Sequence, residues 1–153
     1  LRDALYAAKI ASYTQGFALL AKASEVHGYA TPLGEVARIW TAGCIIRAEF
    51  LDRIRAAFAA APQLELLALA PEFTADLGRR LPGWRRVVAA ASAGGHAIPG
   101  LSASLGWFDT LSTGRGSAAM IQAQRDYFGS HTYERTDAPG KFVHSEWPRR
   151  KAE

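Results

Sequence analysis

Apolar residues recur at three-and-four spacing along most of this chain, and glycine or proline breaks the pattern at intervals. From Leu5 to Val26 the positions Leu5, Ala8, Ser12, Gln15, Gly16, Leu19, Leu20, Ala23 and Val26 form a mostly apolar stripe at helical spacing. Gly28 stops it. Thr31-Pro32 then reads as a helix N-cap followed by proline in the first turn. The next helix carries Val36, Ile39 and Trp40, breaks at Gly43, and resumes from Cys44 to Ala60 with Ile45, Ile46, Phe50, Leu51, Ile54 and Phe58. Pro62 closes that element.

Further punctuation divides the rest. Leu64 to Leu69 reads as a short apolar helix or turn, and Pro71 opens a helix to about Arg80. Pro82 starts another, ended by Gly94-Gly95. Pro99 opens one whose Leu101, Leu105, Phe108 and Leu111 face a core. Gly114-Arg115-Gly116 is a loop, and Ser117 caps the last helix, Ala118 to Phe128. Gly129 is expected to close it in the left-handed conformation. Beyond it, Pro139-Gly140 marks a turn, and the residues from Lys141 to Trp147 alternate only loosely. The expected class is all-α: a multi-helix domain over 1–129 and an irregular, extended C-terminal tail over 130–153, anchored by Tyr133, Phe142, Val143 and Trp147.

With 153 residues, 49% of them hydrophobic, the chain can bury a real core as one domain. No apolar run reaches the roughly 20 residues of a membrane span. The first residues lack a signal peptide's basic start and apolar core. The chain starts without methionine, inside an amphipathic pattern, so it is expected to be a segment of a longer protein. Cys44 is the single cysteine, which excludes an internal disulfide and a cysteine-based zinc site; it is expected to be buried and inert. The formal net charge of +4 suits an anionic ligand. However, Arg47, Arg53 and Arg55, Arg79-Arg80, Arg85-Arg86 and Arg149-Arg150-Lys151 are dispersed, unlike a nucleic-acid footprint.

The familiar catalytic signatures are absent. There is no G-x-G-x-x-G after a strand, no P-loop and no G-x-S-x-G elbow. His27, His96, His131 and His144 lack zinc spacing. Lys9 and Tyr13, four apart, are expected to pack within their helix with Lys9 solvated. Trp40, Arg47 and Trp84-Arg85-Arg86 admit cation–π contacts between helices. Arg125 and His131 remain. Arg125 is a permanent cation whose planar fork matches phosphate or carboxylate, and His131 follows on an irregular segment where it can donate beside it. On chemistry alone the plainer account prevails: Arg125 pairs with Asp126 or Glu134, and His131 caps the helix end.

Several segments, in order, carry a resemblance. The stretch from Ala4 to Phe17, ALYAAKIASYTQGF, is similar to the pattern A-L-Y-A-S-K-I-x-S-Y-A-Q-G-F; that from Trp40 to Arg47, WTAGCIIR, is similar to W-R-x-G-C-I-I-R. Trp84 to Val88, Gln122 to Gly129 and Phe142 to Trp147 match as well. From about residue 4 to 147 the chain resembles the C-terminal part of the decarboxylating 6-phosphogluconate dehydrogenase family. The resemblance implies the latter part of that family's helical domain, with a tail that reaches into the other subunit of a homodimer. It implies an enzyme that oxidises 6-phosphogluconate with NADP and decarboxylates it to ribulose 5-phosphate in the cytoplasm. It places the family's tail arginine and histidine on Arg125 and His131, as a phosphate clamp and a substrate hydrogen bond, reversing the plainer account. It places no catalytic residue, metal or cofactor contact in this chain, which alone is expected to be inactive. The other classes to weigh are a stand-alone all-α dimerisation module and a basic nucleic-acid binder.

Overall fold

The computed structural model describes residues 1–148, so the basic run Arg149-Arg150-Lys151 lies outside the described residues. Among the described residues are six α-helices, α1 (Arg2–His27), α2 (Leu33–Trp40), α3 (Phe50–Ala60), α4 (Pro71–Ala93), α5 (Pro99–Leu111) and α6 (Ala118–Gly129), with a 3₁₀ turn at Leu67–Leu69. The all-α class holds. The chain divides into two compact units, Leu1–Asp109 and Thr110–Glu153, so α6 groups with the tail.

In the first unit α1 packs mainly along α4, and α2 along α3. The buried face of α1 is not built from the leucines of the expected stripe. Ala4, Ala7, Ala8, Ile10, Ala11, Thr14 and Phe17 are buried, whereas Leu5, Leu19 and Val26 face outward, Leu19 being 71% exposed. Small residues let the helix backbones approach. At Gly83 of α4 an added Cβ would sit 3.1 Å from the Cβ of Asp3. Thr14, fully buried, donates its hydroxyl back to the Ile10 carbonyl at 2.8 Å and so leaves no orphan polar group. Phe17 meets Phe58 and Trp40 at centroid distances of 5.3 and 5.6 Å, and Phe50 meets Phe73 at 5.4 Å. Burying each such ring contributes roughly 1.5–3 kcal/mol over leaving it in water.

Three boundaries differ from the sequence reading. Pro32 occupies the N-cap position of α2, with Leu33 the first helical residue and no side-chain cap. Residues 41–49 form turns around Gly43 (φ 70°), so α3 starts only at Phe50, and Ile45 is fully exposed. Finally, α4 runs unbroken through Pro82. Proline there removes one backbone donor, the one that would reach the Gly78 carbonyl. Buried Leu77 and Trp84 on either side, and the Arg80–Asp3 ion pair at 2.8 Å, hold the helix to α1 across the gap. Trp84 also donates its indole N–H to the Leu101 carbonyl at 3.1 Å, which ties α5 to α4.

Arg53, Arg79, Arg80 and Arg85 of the dispersed arginines have structural partners in this unit. Asp76, buried on α4, is held by Arg79 at 2.5 Å and by Arg53 of α3 at 2.9 Å, and Arg53 also reaches Glu72 at 3.0 Å and the Tyr6 hydroxyl. Burial pushes the Asp76 carboxyl up, but hydrogen bonds from Arg79 and Arg53 outweigh it and leave it below its ordinary value. Among the described residues cation–π contacts fall on Tyr6, Phe73, Phe50 and Tyr13, the first two facing Arg80 and Arg53 and the last two facing Lys9, and not on the tryptophans. Arg85 forks onto Asp109 instead, at 2.8 and 2.5 Å. Lys9 lies 4.7 Å from the Phe50 ring centre, packed over an aromatic face. Cys44 is partly exposed, not buried.

The second unit contains α6 and an antiparallel hairpin, β1 (Tyr133–Arg135) and β2 (Ala138–Val143), where the loose alternation had suggested no sheet. Tyr133 pairs with Val143, Glu134 with Phe142 and Arg135 with Ala138, and the register shifts between Glu134 and Arg135. The turn is therefore Thr136-Asp137, braced by the Arg135–Asp137 ion pair at 2.6 Å. Pro139 and Gly140 (φ 80°) lie inside β2 at the irregularity, where neither must sustain a regular ladder. The Gly140 amide donates to the Glu134 carboxylate across it.

Candidate functional site

α6 ends in a tight reversal. The Ser130 amide donates to the Asp126 carbonyl at 2.9 Å, and Ser130 itself, not Gly129, is left-handed, with φ 51°. Thr132 follows with φ 59°. Left-handed backbone costs a non-glycine residue roughly 1–3 kcal/mol, and a β-branched residue such as threonine most of all. The requirement for glycine at 129 is a matter of space: a Cβ there would lie 2.6 Å from the Cδ2 of His131. The His131 imidazole folds back over the helix end, edge-on to Phe128 at 6.1 Å between ring centres.

Asp126 holds the reversal in place. Its side chain is fully buried, and each carboxylate oxygen accepts twice. Oδ1 takes the Thr132 amide at 3.0 Å and His144 Nδ1 at 2.8 Å; Oδ2 takes the Ser145 amide and Trp147 Nε1, both at 2.9 Å. Burial pushes this carboxyl up, but the hydrogen bonds from His144, Ser145 and Trp147 outweigh it and bring it down to about 2. It is ionised at neutral pH and can only accept, so Nδ1 of His144 carries the proton. Trp147 stacks edge-on against Tyr127 at 5.8 Å, and the Tyr133 hydroxyl bonds Ser145 at 2.6 Å. Three of the four expected anchors thus pack or pair in the tail; Phe142 is 70% exposed.

Arg125 lies on the outer side of the same helix turn and is exposed. Among the described residues its guanidinium makes one long contact, 3.4 Å to Gln122 Oε1, and enters no ion pair. The plainer account of this pair therefore does not describe the molecule. Asp126 is turned inward to the tail, Glu134 is engaged by Gly140, and His131 packs on Phe128. What remains is a planar cation outside any ion pair among the described residues, with the exposed His131 imidazole following just beyond the helix end; a guanidinium fork suits a doubly or triply oxygenated anion. Asp126 as the organiser and His144 as its partner do not stand out in the sequence. An aspartate in the last turn of a helix, where the macrodipole disfavours negative charge, was the available signal.

Among the described residues no group of histidine, cysteine, aspartate and glutamate is placed to hold a metal ion, and no helix is long and apolar enough to cross a membrane.

Residues 1–147 match the family model for the 6-phosphogluconate dehydrogenase C-terminal domain. The chain is 55% identical over 147 residues to the decarboxylating 6-phosphogluconate dehydrogenase of Synechococcus elongatus, covering 96% of this chain and 31% of that protein. The Treponema pallidum enzyme of the same name is 51% identical over 148 residues, covering 96% and 30%. A solved structure of Plasmodium falciparum 6-phosphogluconate dehydrogenase, described in apo form and in complex with NADP+ and with 6-phosphogluconate, superposes with a TM-score of 0.88 at 49% identity, covering 95% of this chain and 31% of that one. The chain thus spans about a third of the length of these relatives, and it belongs to the 6-phosphogluconate dehydrogenase family, as a C-terminal domain.

Proposed function

We propose that this chain is the C-terminal part of an NADP-dependent decarboxylating 6-phosphogluconate dehydrogenase, an enzyme of the pentose phosphate pathway that forms ribulose 5-phosphate in the cytoplasm. Its role is grip. Arg125 clamps the substrate phosphate through its guanidinium fork, and His131 donates a hydrogen bond to the same substrate. Residues 1–129 are the latter part of the helical domain, and residues 130–153 are a tail exchanged within a homodimer, completing the partner's site. The observation that carries this reading is the contrast between two adjacent residues. Asp126 is saturated by four donors, while Arg125 is left free of any ion pair among the described residues.

Hydride transfer and decarboxylation belong to residues outside this chain. Among the described residues no strand leads into a helix, so the chain's own residues do not form a Rossmann-type cradle. NADP sits on the nucleotide domain of the full-length enzyme. In that enzyme, Arg125→Ala weakens substrate binding by about 2–4 kcal/mol, the cost of losing a desolvated charged contact. Steady-state kinetics with 6-phosphogluconate test this; an unchanged KM overturns the assignment.

A second reading, an all-α dimerisation module without activity, draws on the exposed Met120, Ile121, Phe128 and Phe142 of the second unit. Mass measurement with and without residues 130–153 tests it, and an equal monomer mass for both contradicts it.

A further inference from the structure

Ser130 and Thr132 flank His131, and the same residue ties both down. The Ser130 amide bonds the Asp126 carbonyl at 2.9 Å and the Thr132 amide bonds its carboxylate at 3.0 Å. The peptides on either side of His131 are therefore fixed from Asp126, in two left-handed conformations that neither residue type prefers. Asp126 is also the covalent neighbour of Arg125. The remaining donors to its carboxylate, His144, Ser145 and Trp147, bring the exit of β2 to the same point. Four donors match the capacity of one ionised carboxylate. An asparagine at this position would turn an NH₂ group toward two N–H donors.

We infer that Asp126 is a positioning residue for the anion site: it sets the His131 backbone relative to Arg125 and clamps the end of the hairpin to the same helix turn. This rests on reading Arg125 and His131 as substrate contacts. Asp126 itself faces away from solvent and touches no substrate; it acts through the loop it holds.

The test uses the full-length enzyme. Asp126→Asn raises KM for 6-phosphogluconate about tenfold and leaves KM for NADP within about twofold, because only the loop geometry is disturbed. In an Arg125→Ala/His131→Ala background the same change adds less than about twofold, since the groups it positions are gone. Trp147→Phe deletes one donor and keeps the ring packing, and raises KM for 6-phosphogluconate about threefold; this variant decides the matter where Asp126→Asn gives no soluble enzyme. Equal rises in both KM values, a full additional effect in the double-variant background, or an unchanged substrate KM in Asp126→Asn (in Trp147→Phe where Asp126→Asn gives no soluble enzyme) overturns the inference. An unchanged KM in Arg125→Ala overturns the substrate-site reading beneath it. An effect of Arg125→Ala with none from Asp126→Asn refutes the positioning role alone.

Discussion

The indole Nε1 of Trp147 donates to the carboxylate of Asp126 at 2.9 Å, across 21 residues of sequence that contain the whole β1–β2 hairpin. A two-stranded hairpin is at best marginally stable alone in water. Here one carboxylate holds both its approach, through the Thr132 amide, and its exit, through His144, Ser145 and Trp147. Residues 132 to 147 are tied to one buried carboxylate on α6.

That point is sensitive to acid, in a direction the carboxyl fixes. Burial raises its pKa, hydrogen bonds from His144, Ser145 and Trp147 outweigh that, and the carboxyl falls from 3.8 to about 2. A group whose folded pKa is depressed contributes fully above its unfolded value, and the contribution is lost as pH falls through the folded one. Protection of the Thr132 and Ser145 amides, followed by hydrogen exchange corrected for intrinsic rate, is expected to be constant down to about pH 4 and to decline from there toward pH 2. A decline centred near neutrality would contradict this.

Gly129→Ala separates binding from stability. Alanine is the better helix former by about 1 kcal/mol, and Gly129 needs no left-handed φ. The new methyl would meet the His131 ring, whose Cδ2 lies 2.6 Å from its position. The ring is the mobile partner and swings away. The expected outcome in the full-length enzyme is an unchanged or slightly raised Tm with a KM for 6-phosphogluconate raised about fivefold or more. A lower Tm with normal KM would show that the glycine serves the backbone.

Asp76 is the electrostatic counterpart in the helical unit. Asp76→Ala leaves Arg53 and Arg80, both mostly buried, without their shared carboxylate. The expected loss is about 3 kcal/mol in denaturant unfolding, the low end for breaking a buried pair, since the partners retain some access to water. Arg79 is 69% exposed, so Arg79→Ala is expected to cost under about 1 kcal/mol. Equal costs would mean that the Asp76–Arg79 pair, and not the contacts to Arg53 and Arg80, carries the stabilisation.

Trp84→Phe removes the donor to the Leu101 carbonyl while keeping an aromatic ring in the core. An expected loss of about 2 kcal/mol combines the orphaned carbonyl with the lost ring volume. Faster exchange confined to α5 amides would locate the damage where α5 docks.

Local signals carried most of the helices. The left-handed stop at Gly28 (φ 67°), the proline starts of α4 and α5, and the apolar spacing of Phe50, Leu51, Ile54 and Phe58 are properties of neighbouring residues, and the structure places each as the spacing implies. The errors share one cause. Pro82 read as a helix break because the lost hydrogen bond is local, whereas the packing of Leu77 and Trp84 that outweighs it is not. The leucines of α1 read as its buried face, yet the alanines are buried because α4 needs their small size to approach. The hairpin was hidden because a bulge at Pro139-Gly140 spoils its alternation.

The same division runs through the site. Residue types and motif order singled out Arg125 and His131 as candidates, since a guanidinium and an imidazole carry their chemistry wherever they stand, and the matching segments placed the chain in a known family. The unfavourable place of Asp126 in the last turn of a helix marks it as unusual, but its inward turn away from Arg125 is not written there. That choice depends on four donors converging from residues 6 to 21 positions away, each bond short-ranged and strongly directional. Side-chain chemistry is written residue by residue. Which charge is satisfied and which is left free is decided only when the folded chain brings the donors to one carboxylate.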